Sequence, residues 1–119
     1  MYSYFDSGDM AAALALFDPA IEWRECPGMP FRTGGGIFTG PEAVVNHVFM
    51  QLPVSFDGFK VVVSEIFGDG DEVAMVGFYQ GINKASGQPF KANAAHIWTV
   101  GNGKKTHFFQ AVDTAVLNR

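Results

Sequence analysis

The fold is decided by residues 73–113, VAMVGFYQGINKASGQPFKANAAHIWTVGNGKKTHFFQAVD. Long apolar segments alternate there with the turn signals Ser86-Gly87 and Gly101-Asn102-Gly103, and short turns of this kind join antiparallel strands. One more apolar segment, Phe59 to Phe67, precedes them across the turn Gly68-Asp69-Gly70-Asp71. The C-terminal half is therefore predicted to be a meander of long antiparallel strands.

The N-terminal residues predict two short helices. Met1 to Phe5 favours a helix that Ser7-Gly8 closes, and Asp9 is a good N-cap for a second helix from Met10 to Phe17. Pro19 is predicted to end that second helix. Because the first helix opens the chain without a cap, we expect it to be truncated.

A strand and a third helix follow. Residues Ile21 to Glu25 alternate with period two, as a half-buried strand does. After a glycine-rich loop from Cys26 to Thr39, Pro41 begins a helix whose predicted apolar stripe consists of Val44, His47, Val48, Gln51 and Leu52. Helices followed by a strand meander indicate an α+β fold, in which residues 1–119 form one domain and the helices pack on one face of a curved antiparallel sheet.

The composition disfavours several classes of partner. The chain has 119 residues, of which 8 are basic and 12 acidic, and a net charge of -4, so no cationic face is expected for nucleic acid or anionic lipid. The longest apolar run, Met10 to Phe17, is far shorter than the roughly 20 residues that span a bilayer. A single cysteine, Cys26, rules out an intramolecular disulfide and favours a cytoplasmic location.

Glu25 is the first candidate for chemistry. It shares a strand face with Ile21 and Trp23, so its carboxylate is expected to point into the same interior as the indole. Burial beside aromatic rings raises the pKa of a carboxyl group, which is how proteins make a general base that works near neutrality. The alternative is a solvated residue at a frayed strand end, paired with Arg24 or Arg32.

His96 is the second candidate. One strand face carries Ala92, Ala94, His96 and Trp98, and the two alanines leave space that a packed core would fill. This profile is typical of a pocket wall. The alternative is a core histidine whose ring is satisfied by a backbone carbonyl.

Two further polar strand residues are candidates for lining the pocket, and none of the histidines is predicted to bind metal. Gln110 lies between Phe108 and Val112 on one face of the last strand and would need hydrogen-bond partners if buried. Tyr79 lies on a face between two glycines. The three histidines lack the paired spacing of metal ligands, so no metal site is expected.

Nearly the whole chain resembles the ketosteroid-isomerase and SnoaL-like group of the nuclear transport factor 2-like superfamily. YFDSGDMAAALALFDPAIEWRECPG resembles the family's two helices and the strand that carries the isomerase's catalytic aspartate, which falls on Glu25. SGQPFKANAAHIWTV resembles the strand that places a protonated aspartate in the oxyanion hole, at His96 here, and GKKTHFFQAVDT resembles the terminal strand of SnoaL-like proteins. The isomerase's oxyanion-hole tyrosine matches Met1, which leaves Tyr4 or Tyr79 to supply that donor.

The resemblance implies a cone-shaped cavity between sheet and helices, and a dimer formed through the outer sheet face. It leads to a specific hypothesis, in which Glu25 removes a proton next to a carbonyl group while His96 or Tyr79 stabilises the developing oxyanion. The substrate is expected to be a small, mostly apolar carbonyl compound, and isomerisation, aldol-type ring closure and dehydration would need no cofactor. The residues expected to bind it are Trp23, Tyr79, Trp98, Phe108, Gln110 and Val112.

Two non-catalytic functions remain open from the sequence. The same cone could hold a hydrophobic ligand or serve as a dimerisation scaffold, because a fold does not fix a function. The protein could also act through an exposed apolar sheet face. For either a scaffold or an enzyme we expect a homodimer through the outer sheet face, formed by Val76, Phe78, Ile82, Ala95, Ile97, Phe109 and Ala111.

Overall fold

The computed structural model describes residues 1–30 and 32–119; Phe31, within the predicted glycine-rich loop, lies outside the described residues. Short helices precede and flank a six-stranded sheet. The helices are α1 (Tyr2–Ser7), α2 (Met10–Leu14), α3 (Pro41–His47), α4 (Leu52–Ser55) and α5 (Thr114–Leu117), with single 3-10 turns at Gly34–Gly36 and Phe49–Gln51. The strands are β1 (Phe17–Arg24), β2 (Ile37–Thr39), β3 (Phe56–Asp69), β4 (Glu72–Asn83), β5 (Pro89–Gly101) and β6 (Lys104–Val112).

The sheet order is β2-β1-β6-β5-β4-β3, and the predicted α+β fold is confirmed. Strands β3 to β6 form the predicted antiparallel meander. The sheet is not wholly antiparallel, however, because β1 pairs in parallel with β6, where Trp23 lies beside Phe108. This parallel pairing brings the N-terminal strand next to the last strand of the meander, so residues from both halves of the chain share one concave face.

Irregular pairing curves the sheet and leaves it unclosed. The β3–β4 register shifts between Val63 and Glu65, and the β5–β6 register shifts between Thr99 and Val100. Such bulges bend a strand and increase its twist. Gly77 lies beside the first bulge, where an added Cβ would overlap the carbonyl oxygen of Val62. The residue needs to be glycine because the neighbouring backbone approaches too closely for any side chain.

The second helix is shorter than predicted. It ends at Leu14, and Phe17 and Pro19 belong to β1 instead. Phe17 is buried against the ring of Trp23, with 6.1 Å between ring centroids, so tertiary packing overrides its helical spacing. The β1–β6 register skips from Phe17 to Glu22, and Pro19 lies in this unpaired stretch, where its missing N–H costs no ladder hydrogen bond.

The predicted third helix is broken, and one residue of its apolar stripe is misplaced. Helix α3 ends at His47 because Val48 has non-helical angles (φ -122°, ψ -69°). Val44 and Val48 are buried as predicted, but His47 is exposed and stacks on Phe38 with 5.4 Å between ring centroids. The prediction that His47 shares the apolar stripe was therefore wrong: the residue lies within α3, but its ring packs on Phe38 at the surface.

The core lies between the concave face and the helices. One buried cluster centres on Trp23, Trp98 and Phe108, and a second centres on Phe56, Tyr79 and Leu117. Helix α5 was not predicted; Asp113 caps it by accepting a hydrogen bond from the Val116 amide, which lets Leu117 close the second cluster. Among residues 1–30 and 32–119, no helix has the length and apolar character needed to cross a membrane.

Candidate active site

The concave face gathers polar groups from three strands. His96 on β5 lies directly opposite Gln110 on β6, and β1 brings Glu25 to the same side immediately after its last residue. Glu25, His96 and Gln110 are 2%, 4% and 3% exposed, although each is polar or ionisable. Burying such groups is costly unless they are hydrogen-bonded, so their partners decide what the site can do.

A narrow internal cavity of about 40 Å³ lies over these residues. Seven of the eight candidate residues line it: Trp23, Glu25, Tyr79, His96, Trp98, Phe108 and Gln110. Val112 does not; it packs half-buried against the second core cluster near Leu117. The rest of the lining comes from Phe59 and Val61 on β3 and from residues outside the sheet: Met1, Tyr2, Phe5, Met29, Val48, Phe49 and Leu52.

Glu25 has one satisfied and one unsatisfied carboxylate oxygen. The indole N–H of Trp23 donates to Oε1 at 2.9 Å, because the two residues lie two apart on one strand face. Oε2 is buried without a hydrogen-bond partner. Burial raises the pKa of this carboxyl group to about 7, although the bond from Trp23 opposes the shift. The site therefore holds a carboxyl group that exchanges a proton near neutrality.

The ion pairs that could have neutralised Glu25 are not formed with its carboxylate. Arg24 pairs with Glu22 at 3.2 Å on the opposite strand face. Arg32 donates instead to the backbone carbonyl of Glu25, at 3.4 Å, and to that of Gly35. The Glu25 amide also donates to the Gly36 carbonyl at 2.7 Å, so the backbone here is held and not frayed.

Two tyrosines hold His96 at both ring nitrogens. The Tyr2 hydroxyl lies 2.8 Å from Nδ1, and the Tyr79 hydroxyl contacts Nε2. Tyr79 sits opposite Ala92, so its side chain leans along the sheet past Gly77 and Ala94 to reach the imidazole. The Tyr79 phenol therefore occupies part of the space that the two alanines leave. Neither ring nitrogen of His96 is hydrogen-bonded to a backbone carbonyl.

The directions of the bonds in this network are set at its two ends, by the Trp98 indole, which only donates, and by the Gln110 amide oxygen, which only accepts. The Trp98 indole can only donate, and it does so to the Tyr2 hydroxyl at 2.8 Å. Tyr2 then donates to Nδ1 of His96, which requires the proton of the neutral imidazole to be on Nε2 and to point at Tyr79. Tyr79 in turn donates to Oε1 of Gln110 at 2.6 Å. The chain runs from Trp98 to Gln110 with every hydroxyl and ring nitrogen engaged.

This network stays neutral over the range in which Glu25 titrates. Burial lowers the pKa of His96 to about 3 and raises that of Tyr2 to about 12. Burial and then the nearby Glu25 charge raise the pKa of Tyr79 well above its ordinary value. Within the described part of the cavity wall, Glu25 is therefore the side chain that changes charge near neutral pH.

The sequence reasoning missed Tyr2. Of the two tyrosines suggested as the oxyanion donor, Tyr79 lines the cavity, whereas Tyr4 is 41% exposed. Tyr2 and Phe5 both line the cavity and are three residues apart, so they share the inward face of α1. The three-residue spacing of Tyr2 and Phe5 was the feature of the sequence that could have identified Tyr2 as a cavity residue. Among residues 1–30 and 32–119, no cluster of three or more His, Cys, Asp or Glu side chains could hold a metal ion.

Comparison with known proteins places this fold in a family. A model described as "SnoaL-like domain" matches residues 1–108. An NTF2-like protein of Burkholderia thailandensis is 35% identical, with a TM-score of 0.91 over 98% of this chain and 88% of that one. TerC, co-crystallized with polyporic acid, is 24% identical, with a TM-score of 0.85 over 98% and 88% of the two chains.

A third similar structure is more distant. A hypothetical protein of Catenulispora acidiphila with a ketosteroid isomerase-like fold, in complex with trimethylamine, is 18% identical, with a TM-score of 0.71 over 84% of this chain and 72% of that one. No protein with a curated description matches the sequence. The family model spans most of the chain and the solved structures share its curved sheet, so this protein belongs to the SnoaL-like family and has an NTF2-like fold.

Proposed function

We propose that this protein catalyses proton transfer next to the carbonyl group of a small apolar compound, with Glu25 as the base. One observation carries the proposal: Oε2 of Glu25 is buried and unpartnered in an apolar cavity. A carboxyl group with a pKa of about 7 is half ionised near neutrality, which suits both removing and returning a proton. No other described group in the cavity wall combines these properties.

The proton follows a simple path. The Glu25 carboxylate removes it from the carbon beside the carbonyl, and the electron pair of the broken C–H bond moves toward the carbonyl oxygen to form an enolate. The protonated Glu25 then returns the proton. In a β,γ-unsaturated ketone the proton goes back to the γ carbon, and the double bond moves into conjugation with the carbonyl.

The enolate oxygen needs a hydrogen-bond donor. Both nitrogens of His96 are engaged by tyrosines, so we assign the direct donor to a phenol, that of Tyr2 or Tyr79, which turns from its present acceptor to the substrate oxygen. His96 then acts through Tyr79, because its Nε2–H donates a hydrogen bond to the Tyr79 hydroxyl and polarises it. A donor aimed at a developing oxyanion in a water-poor site stabilises the transition state strongly.

The test is the variant Glu25→Gln, which keeps the shape of the side chain and removes the base. With an acyclic β,γ-unsaturated methyl ketone as the probe, isomerisation is followed by the absorbance of the conjugated product. We expect the rate to fall by at least about a hundredfold while affinity for the product is nearly unchanged. Glu22→Gln, on the opposite face of the same strand, is the matched control. Equal turnover in both variants and the wild type would overturn the proposal.

A second candidate function, a non-catalytic binding module, is favoured by a different observation. The cavity has a volume of only about 40 Å³, and the tyrosine and histidine groups already satisfy one another. A site of this kind can bind without reacting. Binding of the probe with no Glu25-dependent turnover would support this function.

We further propose a homodimer and a cytoplasmic location. Val76, Ile82, Ile97 and Phe109 on or near the outer sheet face are each between 38% and 43% exposed, an apolar surface suited to a second copy of the chain. Cys26 is free and buried, as suits a reducing compartment.

A further inference from the structure

The internal cavity can hold only part of a substrate. Its volume of about 40 Å³ has room for a few water molecules, whereas pockets that bind small molecules measure roughly 300–1,000 Å³. Residues of α1 and the turn before α4 fill the space above it. Glu25 lies in this inner chamber, so whatever reaches its carboxylate must be a small end of a larger molecule.

A larger groove opens on the outer side of the same wall. It has a volume of about 480 Å³, within the usual range for a ligand site. It is lined only by apolar residues and one glycine: Phe5, Met10, Leu14, Val45, Phe49, Met50, Leu52, Pro53, Phe56, Gly58 and Phe59. No charged or polar side chain in the described part of the chain contributes to this lining.

The inner chamber and the outer groove share a wall. Four side chains, Phe5, Phe49, Leu52 and Phe59, line both. Phe49 is central, since its ring lies 5.6 Å from that of Phe5 and 5.4 Å from that of Trp23, centroid to centroid. Displacement of this half-buried ring would join the two spaces, because the ring itself lines both of them.

We infer that the substrate has two parts: a carbonyl head that enters the inner chamber, and an extended apolar tail that lies in the outer groove between helices α1–α2 and α3–α4. The identity of the head rests on the proposed function, but the tail rests on the groove alone. A compact substrate would leave the groove empty, and a charged tail would meet no charged or polar side chain in its lining. An unbranched alkyl or alkenyl tail matches the lining.

The length of the tail provides the test. The probes are acyclic methyl ketones with five to twelve carbon atoms, whose double bond is one carbon removed from the carbonyl; binding is measured by titration calorimetry of their conjugated products. Each added methylene that is buried contributes about 0.8 kcal/mol, so the dissociation constant is expected to fall about fourfold per carbon until the groove is full. A dissociation constant independent of chain length would overturn the inference.

A pair of matched variants locates the tail. Met50 and Val54 are both exposed apolar residues, 58% and 66% exposed, but only Met50 lines the groove. Met50→Asp is expected to weaken binding of the twelve-carbon probe by about tenfold or more and to leave the five-carbon probe unaffected. Val54→Asp adds the same charge outside the groove and should leave both probes unaffected. Equal effects of the two variants on the long probe would contradict a tail in this groove.

The two proposals fail in different ways. Chain-length-dependent binding that Met50→Asp abolishes, without Glu25-dependent isomerisation, would support the groove and reject the catalytic function. Glu25-dependent isomerisation at a kcat/KM that does not rise with chain length would support the catalytic function and reject the groove.

Discussion

The two faces of the sheet differ in a way that their sequences only partly suggest. His96 and Gln110 form a cross-strand pair on the concave face and are 4% and 3% exposed. Their neighbours Ile97 and Phe109 form the next pair on the convex face and are 38% and 43% exposed. At these positions the sheet buries polar side chains and exposes apolar ones.

The difference shows which face is constrained by chemistry. A buried polar group must find partners, and the concave face meets this demand with a directed hydrogen-bond chain from Trp98 to Gln110. Glu25 is the exception, because its Oε2 has no hydrogen-bond partner. On the convex face, exposed apolar side chains need no hydrogen-bond partner for the chain to fold, and this is the face that we propose for the homodimer.

The largest expected effect comes from removing the histidine of the concave face. His96→Ala removes one hydrogen-bond partner from each of the Tyr2 and Tyr79 hydroxyls, which orient the oxyanion donor. We expect transition-state stabilisation to fall by up to about 2 to 4 kcal/mol, the loss typical of a direct donor, and the free energy of unfolding by about 1 to 3 kcal/mol. Steady-state kinetics and denaturant unfolding measure the two quantities. His107→Ala is the control, since that ring is exposed on the opposite face and should change either quantity by less than about 0.5 kcal/mol. Similar losses in both variants would remove the distinction between the faces.

The second effect concerns stability against pH. Folding raises the pKa of Glu25 from 4.5 to about 7, so its contribution to stability is fully present below pH 4.5 and is lost as the pH rises toward 7. Folding lowers the pKa of His96 from 6.5 to about 3, so its contribution is present above pH 6.5 and is lost as the pH falls toward 3. Between pH 4.5 and 6.5 the two trends oppose each other.

The variant Glu25→Gln separates the pH dependence due to Glu25 from that due to His96. Relative to the wild type, this variant is expected to gain stability as the pH rises from 4.5 to 7, by at most about 3 kcal/mol. Denaturant unfolding at several pH values measures the gain, and Glu22→Gln on the convex face is the control. A constant difference between Glu25→Gln and the wild type across this range would show that the Glu25 carboxyl is not desolvated.

The smallest effect tests the convex face. Phe109→Glu places a charge in the apolar surface, so a homodimer formed there should dissociate about tenfold more readily or worse. Light scattering and sedimentation across a micromolar concentration range measure the dissociation constant. Val54→Glu, an exposed apolar residue on α4, should leave it unchanged. A wild-type protein that is monomeric throughout would reject the interface.

The alternation of apolar residues along the sequence predicted much of the fold and part of the candidate site. Alternation along the strands placed Trp23 and Glu25 on one face, and His96 and Gln110 on the face that the structure buries. It failed where packing outweighs local preference: Phe17 left its helical run for a strand, and His47, although within α3, packs on Phe38 at the surface. The parallel pairing of β1 with β6 was also missed, because no short turn marks a contact between strands so far apart in the chain.

The sequence by itself determined that this is an α+β domain with a carboxyl group and an imidazole on apolar strand faces, because side-chain direction in a strand depends only on position along it. Only the tertiary structure decided how those groups are bonded. Tyr2 reaches His96 across 94 residues and Trp98 across 96, through the packing of a short helix on a curved sheet. The same packing bounds the inner chamber, since Tyr2 and Phe5 of α1 line it, and the burial of Oε2 of Glu25 without a partner is likewise a property of the folded chain and not of any local pattern.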